Sequence, residues 1–195
     1  MTLFDAIIYG FIQGLSEFLP VSSSGHLALL PHVMSIKDPG VVFDLMMHLG
    51  TALAVIIYFR HSLLKYVRTL NPKLLMSNYS HADYNFSRNF LISTISSVVL
   101  ILILLPVSKL ARDPWFIIFN LSFFGALLWG ADVYNKKTTL LDDPMERGVN
   151  YKLAILIGLA QALAIFPGVS RSGITLTAAL LLGMKRKEAG AYSFL

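Results

Sequence analysis

Long apolar runs separated by polar links dominate the chain. Three uninterrupted runs lie at 43–59, 89–106 and 115–134. Each comes close to the roughly 20 residues that an α-helix needs to cross a bilayer, and none alternates residue by residue as a membrane β-strand does. The pattern predicts an all-α polytopic membrane protein that forms a single membrane domain over 1–195.

Two further apolar segments, 3–34 and 151–184, are interrupted. Each consists of a helical run, a break rich in Pro, Ser and Gly, and a second apolar run too short to cross alone. Irregular backbone is tolerated at membrane depth only where protein or water shields it. These segments are therefore predicted to be re-entrant broken-helix hairpins.

The two interrupted segments also match each other in sequence. "GFIQGLSEFLPVSSSG" begins at Gly10 and "GLAQALAIFPGVSRSG" begins at Gly158, an offset of 148 residues that aligns Gln13 with Gln161 and the serines and final glycine of both breaks. The agreement indicates an internal duplication. Repeat 1 covers about 1–134, and repeat 2 starts at about 148 and is incomplete.

The copies differ at their charged positions. Glu17 aligns with Ile165, and Arg171 aligns with Ser23. Because three spans, an odd number, separate the copies, the repeat is predicted to have inverted topology. In such folds the broken helices meet near the midplane and form the binding site.

Composition and charge support a membrane protein. The chain is 55% hydrophobic and 14% charged, against about 25% charged in an average soluble domain. Its net charge of +5 comes largely from basic residues in the links at 60–88 and 136–152, which the positive-inside rule places in the cytoplasm. We expect no nucleic-acid partner. Since cysteine is absent, disulfides and thiolate metal sites are excluded.

Glu17 is the strongest functional candidate, because an ionisable residue inside a membrane is costly. Gln13 lies one turn earlier on the same helical face. Together their oxygens suit a divalent cation, Mg²⁺ or Ca²⁺. The alternatives are a carboxylate satisfied by helix packing at Glu17 and an interhelical hydrogen bond at Gln13.

The serine-rich breaks suit an anion, because a helix N-terminus with free N–H groups and hydroxyl donors binds phosphate readily. Arg171 adds a guanidinium group that can bind two phosphate oxygens at once. At membrane depth this charge needs an anionic partner, either Glu17 or a ligand. Helix capping is the alternative role for Ser22 and Ser172. The remaining candidates for phosphate contact are Ser23, Ser24, Gly25 and Gly173.

Two histidines are further candidates. His26 suits a general acid, base or nucleophile, or else a packed neutral histidine. His48 shares a helix face with Asp44, and an interfacial pair is favoured there over support for the site. The residues by themselves indicate a membrane-embedded phosphate or pyrophosphate centre, in either a hydrolase or a carrier of an anionic lipid or solute.

Three motifs carry a resemblance over the whole chain. Gln13–Glu17 is similar to an (E/Q)xxxE motif, "FLPVSSSGH" to the Ser/Thr-Gly-His element beside it, and Pro167–Gly173 to PGxSRSG. In these motifs the chain resembles the undecaprenyl-pyrophosphate phosphatase family of the bacitracin-resistance type. Members of that family are longer, so we expect a fragment or a truncated reading frame.

The resemblance implies a multi-pass enzyme of the bacterial inner membrane. It would hydrolyse undecaprenyl pyrophosphate to undecaprenyl phosphate and phosphate, recycling the lipid carrier of cell-wall synthesis, with a divalent cation and a site open to the outer leaflet. The alternative is a transporter or flippase of the isoprenyl phosphate lipid. The implied partners are the lipid substrate and the bilayer, with a homodimer left open.

The resemblance also assigns roles within the motifs. Glu17 and Gln13 lie at the metal and acid–base locus, and His26 is a catalytic acid or nucleophile with Ser23 as the competing nucleophile. Arg171 is catalytic and grips the pyrophosphate, which the two breaks hold through Ser22, Ser24, Gly25, Ser170, Ser172 and Gly173.

Overall fold

The computed structural model describes residues 2–36, 38–70, 80–108, 113–141 and 150–194, and this part of the chain is helical and contains no strand. The predicted all-α class is therefore confirmed. A 3₁₀ turn, Ala162–Ile165, extends α7. The helices are α1 Leu3–Ser16, α2 Ser23–Met34, α3 Val41–Tyr58, α4 Arg60–Thr69, α5 His81–Ser108, α6 Pro114–Leu141, α7 Tyr151–Gln161, α8 Arg171–Leu181 and α9 Arg186–Phe194.

Helices α3, α5 and α6 are long and apolar enough to cross a membrane, and they coincide with the three predicted spans. Helix α5 begins at His81, well before the predicted residue 89. Its first turn is polar and precedes the apolar run. This turn is held against α4, because Asp83 accepts a 2.8 Å hydrogen bond from Lys65. Helix α4 itself was predicted only as part of a basic link.

The interrupted segments form two pairs of short helices, as predicted. Helix α1 has 14 residues and is the longest of the four, so it measures about 21 Å at about 1.5 Å per residue. A bilayer core is about 30 Å thick. Helices α1 and α2 begin at Leu3 and Ser23, and α7 and α8 begin at Tyr151 and Arg171, so the offset of the sequence repeat is kept in the helix bounds.

The two breaks share one capping hydrogen bond, although the backbone at Ser22 is left-handed and that at Ser170 is extended. The Ser22 hydroxyl accepts a hydrogen bond from the Gly25 N–H at 3.4 Å, and the Ser170 hydroxyl accepts from the Gly173 N–H at 3.1 Å. These bonds satisfy N–H groups that lack a partner in the first turn of a helix. The capping interpretation therefore holds for Ser22. At α8 it was wrong for Ser172, because Ser170 is the cap.

The breaks pack against each other and against α6. A Cβ atom on Gly25 would lie 3.0 Å from the Cα of Gly168, so only glycine allows the two backbones to approach so closely. Gly168 itself has a φ of +90°, a left-handed conformation that favours glycine. The Asn120 amide of α6 donates to the Pro167 carbonyl at 2.9 Å and holds the second break in place.

The outer surface is apolar and the packed interior is small. Helix α3 has no buried residue, and its exposed aliphatic side chains suit contact with lipid. The main buried cluster joins α6, α7, α8 and α9 and consists of Ala131, Ile157, Ala179, Leu180, Met184, Ala189 and Tyr192. A smaller cluster joins α1 and α2 through Tyr9, Leu27 and Leu30.

Candidate active site

A cavity of about 270 Å³ lies where the two breaks meet. The N-termini of α2 and α8 both open into it, which makes the cavity favourable for an anion. Its apolar wall comes from Leu19, Ile101, Ala164, Ile165 and Val169. Its polar wall comes from Ser16, Glu17, Ser22, Ser23, Ser24, His48, Ser97, Gln161, Ser170, Arg171 and Ser172.

Glu17 lies at the centre of this polar wall. It caps the C-terminus of α1, and its side chain is 18% exposed. Its Oε2 atom accepts a short hydrogen bond from the Ser23 hydroxyl, and its Oε1 atom lies 3.7 Å from Nη2 of Arg171. Of the two partners predicted for Arg171, the structure shows Glu17, and the residues that differ between the repeats meet here.

Gln13 supports Glu17 from inside the protein and is 1% exposed. Its Nε2 group donates to Glu17 Oε2 at 3.1 Å and to the Thr51 hydroxyl of α3 at 3.2 Å. The predicted interhelical hydrogen bond is therefore present. Gln13 Oε1 is buried and has no hydrogen-bond partner among the described residues.

Gln161 repeats the role of Gln13 in the second hairpin. Its Nε2 group donates to the Ser97 hydroxyl of α5 at 3.3 Å, and its Oε1 atom accepts from the Thr175 hydroxyl of α8 at 3.2 Å. The alignment of the two glutamines in the repeat was the signal for this contact. Ser97 and Thr175 themselves were not predicted, because nothing local in the sequence distinguishes them from other helix-packing hydroxyls.

His48 belongs to the site, so the preference for an interfacial pair with Asp44 was wrong. Its Nδ1 atom lies 2.7 Å from the main-chain oxygen of Asp44, and its Nε2 atom lies 3.7 Å from Glu17 Oε2. The cause is the packing of α3 on α1, where Gln13 bonds to Thr51 and turns this face of α3 towards Glu17.

His26 stands apart from this cluster. It is exposed and does not line the cavity, and its Nδ1 atom lies 2.8 Å from the Ser22 carbonyl oxygen. Its catalytic role stays a prediction. Gly25 and Gly173 also lie outside the cavity wall, and their N–H groups are used in the two caps.

The comparisons with known proteins agree with the motifs. Proteins named undecaprenyl-diphosphatase are 40% identical over 199 residues in Moorella thermoacetica (100% of this chain, 71% of the relative) and 39% over 196 residues in Pseudoalteromonas translucida (100% and 71%). One from Stutzerimonas stutzeri is 40% identical over 196 residues (100% and 72%). A family model described as bacitracin resistance protein BacA matches residues 6–195. The chain therefore belongs to the bacitracin resistance protein BacA family.

Proposed function

We propose that the chain hydrolyses undecaprenyl diphosphate to undecaprenyl phosphate and phosphate in this cavity. The observation that carries the proposal is the Ser23 hydroxyl bonded to Glu17 beside Arg171, at the junction of two helix N-termini. A nucleophile, a base and anion-binding groups are thereby brought together. The curated relatives are named as diphosphatases, which favours hydrolysis over the transport alternative.

Positive charge in the cavity binds the diphosphate group, and the apolar wall accommodates the lipid chain. Arg171 supplies a guanidinium that grips phosphate oxygens, and its side chain is 63% exposed, so it can reach an incoming head group. The amide ends of α2 and α8 add two positive dipole ends. The wall of Leu19, Ile101 and Ile165 faces the isoprenyl chain, which matches the polar–apolar division of the substrate.

Ser23 is the nucleophile in this mechanism. Its Oγ attacks the terminal phosphorus while its proton passes to Glu17, and the P–O bond to the lipid monophosphate breaks. Water then attacks the phosphoserine, the P–Oγ bond breaks, and Glu17 returns its proton to Ser23 Oγ while the protons of the attacking water stay on the released phosphate. Such transfers depend mainly on positioning and charge stabilisation. Ser23 is favoured over His26 because only Ser23 contacts Glu17 and lines the cavity.

The oxygen atoms around Glu17 fit a divalent cation. The described residues contain no group of three His, Cys, Asp or Glu side chains that would enclose a metal ion. The Glu17 carboxylate lines the cavity and suits a cation that takes its other ligands from phosphate. When bound, the cation neutralises charge on the diphosphate.

The proposal extends to location. Three described helices suit a bilayer by length and composition, and a substrate with an isoprenyl chain is presented at a membrane. We place the protein in the bacterial inner membrane with the cavity open to the outer leaflet, as the family resemblance implies, and with the basic links at 60–88 and 136–152 on the cytoplasmic side. A homodimer stays a prediction.

Phosphate release by the purified chain from undecaprenyl diphosphate tests this function. Glu17→Gln and Arg171→Ala should each lower kcat/KM by about 100-fold or more, because each removes a charged group from the transition state. Arg68→Ala, at an exposed position of α4, is the matched control and should retain the wild-type rate. Equal rates in all four proteins would refute the site, and no release by any of them would refute the reaction.

A further inference from the structure

Two polar side chains of the cavity wall lie outside the contacts of Glu17: Ser97 of α5 and Gln161 of α7. The Gln161 Nε2 group donates to the Ser97 hydroxyl at 3.3 Å, and Gln161 Oε1 accepts from the Thr175 hydroxyl at 3.2 Å. Ser97 is 1% exposed. The two side chains therefore form a fixed pair where α5, α7 and α8 meet.

The pair keeps hydrogens that can still donate. The Ser97 oxygen accepts from Gln161, which leaves its own O–H available, and Nε2 of Gln161 carries a second N–H. Among the described residues neither hydrogen has an acceptor. A buried donor without an acceptor is costly, so a ligand that brings acceptor oxygens into the cavity is stabilised at this pair.

These donors differ in charge from those at the helix breaks. In the described part of the chain neither Ser97 nor Gln161 contacts a charged side chain. The guanidinium of Arg171, by contrast, lies beside the Glu17 carboxylate and the Ser23 hydroxyl. The cavity therefore offers two unlike sets of phosphate donors, one charged and beside the nucleophile, the other neutral.

The apolar wall indicates which phosphate each set takes. Ile101 follows Ser97 by one turn of α5, about 6 Å along the helix axis, and Ile165 follows Gln161 by four residues at the end of the 3₁₀ turn. Both isoleucines line the cavity. The neutral donors therefore adjoin the surface that suits an isoprenyl chain.

We infer that Ser97 and Gln161 bind the phosphate that carries the isoprenyl chain, so that the terminal phosphate lies against Ser23 and Arg171. The inference deepens the proposed function and rests on it. When the bond from the terminal phosphorus to the bridging oxygen breaks, its electron pair stays on the lipid monophosphate. The two donors stabilise the charge that develops there.

This subsite also accounts for the selectivity of the reaction. The phosphate held by Ser97 and Gln161 is not the one that Ser23 attacks, so hydrolysis stops at the lipid monophosphate. Neutral donors form weaker hydrogen bonds to phosphate than a guanidinium does. The monophosphate is therefore released more readily than it would be from an arginine.

A purely structural network is the competing explanation, since the pair also joins α5 to α7. Loss of a structural contact would change the affinity for every ligand of the cavity or for none. Loss of a subsite changes the affinity for the lipid-bearing phosphate alone. The two kinds of product, an isoprenyl monophosphate and inorganic phosphate, supply that comparison.

Phosphorus NMR titrations of the purified full chain with farnesyl phosphate and with inorganic phosphate measure the two affinities. Ser97→Ala should raise the Kd for farnesyl phosphate about fivefold, the effect of one lost hydrogen bond, and leave the Kd for inorganic phosphate within about twofold of wild type. Gln161→Met keeps a side chain of similar length without donors and should show the same selectivity. Arg171→Ala should show the opposite selectivity, because it removes the charged donor.

Ser96→Ala is the matched control, because Ser96 bonds to the main chain and does not line the cavity; it should leave both Kd values unchanged. An unchanged Kd for farnesyl phosphate in both Ser97→Ala and Gln161→Met would overturn the inference. An equal rise for the two ligands, or no binding of farnesyl phosphate to wild type, would overturn it as well.

These titrations need no turnover, so they separate the subsite from the reaction. Phosphate release from undecaprenyl diphosphate is measured on the same wild-type sample. Selective binding without release refutes the proposed hydrolysis and leaves the subsite standing. Release by wild type, together with variants at Ser97 and Gln161 that show no selectivity, refutes the subsite alone.

Discussion

The contacts of Glu17 are unequal, and the difference has a functional consequence. Ser23 and Gln13 donate hydrogen bonds to Oε2, whereas Arg171 lies 3.7 Å from Oε1, beyond the usual range of a hydrogen bond. An ion pair with so exposed an arginine contributes about 0 to 1 kcal/mol. Arg171 is therefore weakly held by Glu17 and can turn its guanidinium to a phosphate group.

Ser23 and Ser24 provide a matched pair of hydroxyls for testing the nucleophile. Ser23 donates to Glu17, while Ser24 lies 3.3 Å from the Ser22 hydroxyl. We expect Ser23→Ala to lower phosphate release at least 100-fold, because it removes the attacking oxygen. Ser24→Ala should lower phosphate release no more than about tenfold, which corresponds to the free energy of one lost hydrogen bond.

The measurement is single-turnover phosphate release from undecaprenyl diphosphate, with circular dichroism to confirm that both variants are helical. Equal losses in the two variants would contradict a nucleophilic role for Ser23. Full activity in Ser23→Ala would assign the attack to water or to His26.

The sequence predicted the residues of this site better than their contacts. Glu17 and Arg171 stand out because charge inside apolar segments is costly. The placement of His48 did not follow, because helical spacing shows that residues 44 and 48 share a face but not which neighbour that face meets. That direction depends on the packing of α3 on α1 through Gln13 and Thr51.

At the scale of elements, glycine sets the distance between the two breaks. A Cβ on Gly25 would lie 3.0 Å from Gly168 Cα and 3.2 Å from a Leu121 methyl group, tighter than ordinary van der Waals contact. A methyl group in such a space costs about 1 to 3 kcal/mol through overpacking. The two hairpins must then separate or tilt.

Gly25→Ala should therefore lower the melting temperature and reduce phosphate release about tenfold or more, because the serines of one break move away from Arg171 on the other. Gly10→Ala is the control: a Cβ at Gly10 would meet nothing within 4 Å, and alanine is favoured over glycine in a helix by about 0.5 to 1 kcal/mol. It should keep or raise the melting temperature. Thermal unfolding is followed by tryptophan fluorescence, and an unchanged Gly25→Ala would contradict the close packing.

The type of most elements was easier to predict from the sequence than the residues at which they begin and end. The paired breaks follow from Pro, Ser and Gly in both copies of the repeat, and the helix bounds keep that register. Helix α4 was missed because it is short, and its basic side chains suggested a loop. Its contact with α5 through Lys65 and Asp83 is made between residues 18 apart, which local periodicity cannot reveal.

At the scale of the whole molecule, several polar side chains of the described residues are buried between helices while many large apolar side chains are exposed. Asn89, Asn120 and Ser97 are buried, whereas Ile103 and Trp129 are among the exposed apolar residues. Lipid is as apolar as leucine, so helices in a membrane associate through close packing and polar contacts rather than by hiding apolar surface. The described fold follows this rule, which supports its placement in a bilayer.

The predicted inversion of the two hairpins determines which positions should be reached from each side of that bilayer. Three helices long and apolar enough to cross, α3, α5 and α6, separate the hairpins, and an odd number of crossings would put the hairpin ends on opposite sides. The chain has no cysteine, so Asp38→Cys and Lys187→Cys each provide a single exposed thiol, and Ser80→Cys marks the link between α3 and α5. In intact cells an impermeant maleimide should label position 38 only; labelling 80 and 187 should require a permeant reagent. Equal labelling of 38 and 187 from outside would show that both hairpins open on one side, and the two breaks would then not be related by inversion across the membrane.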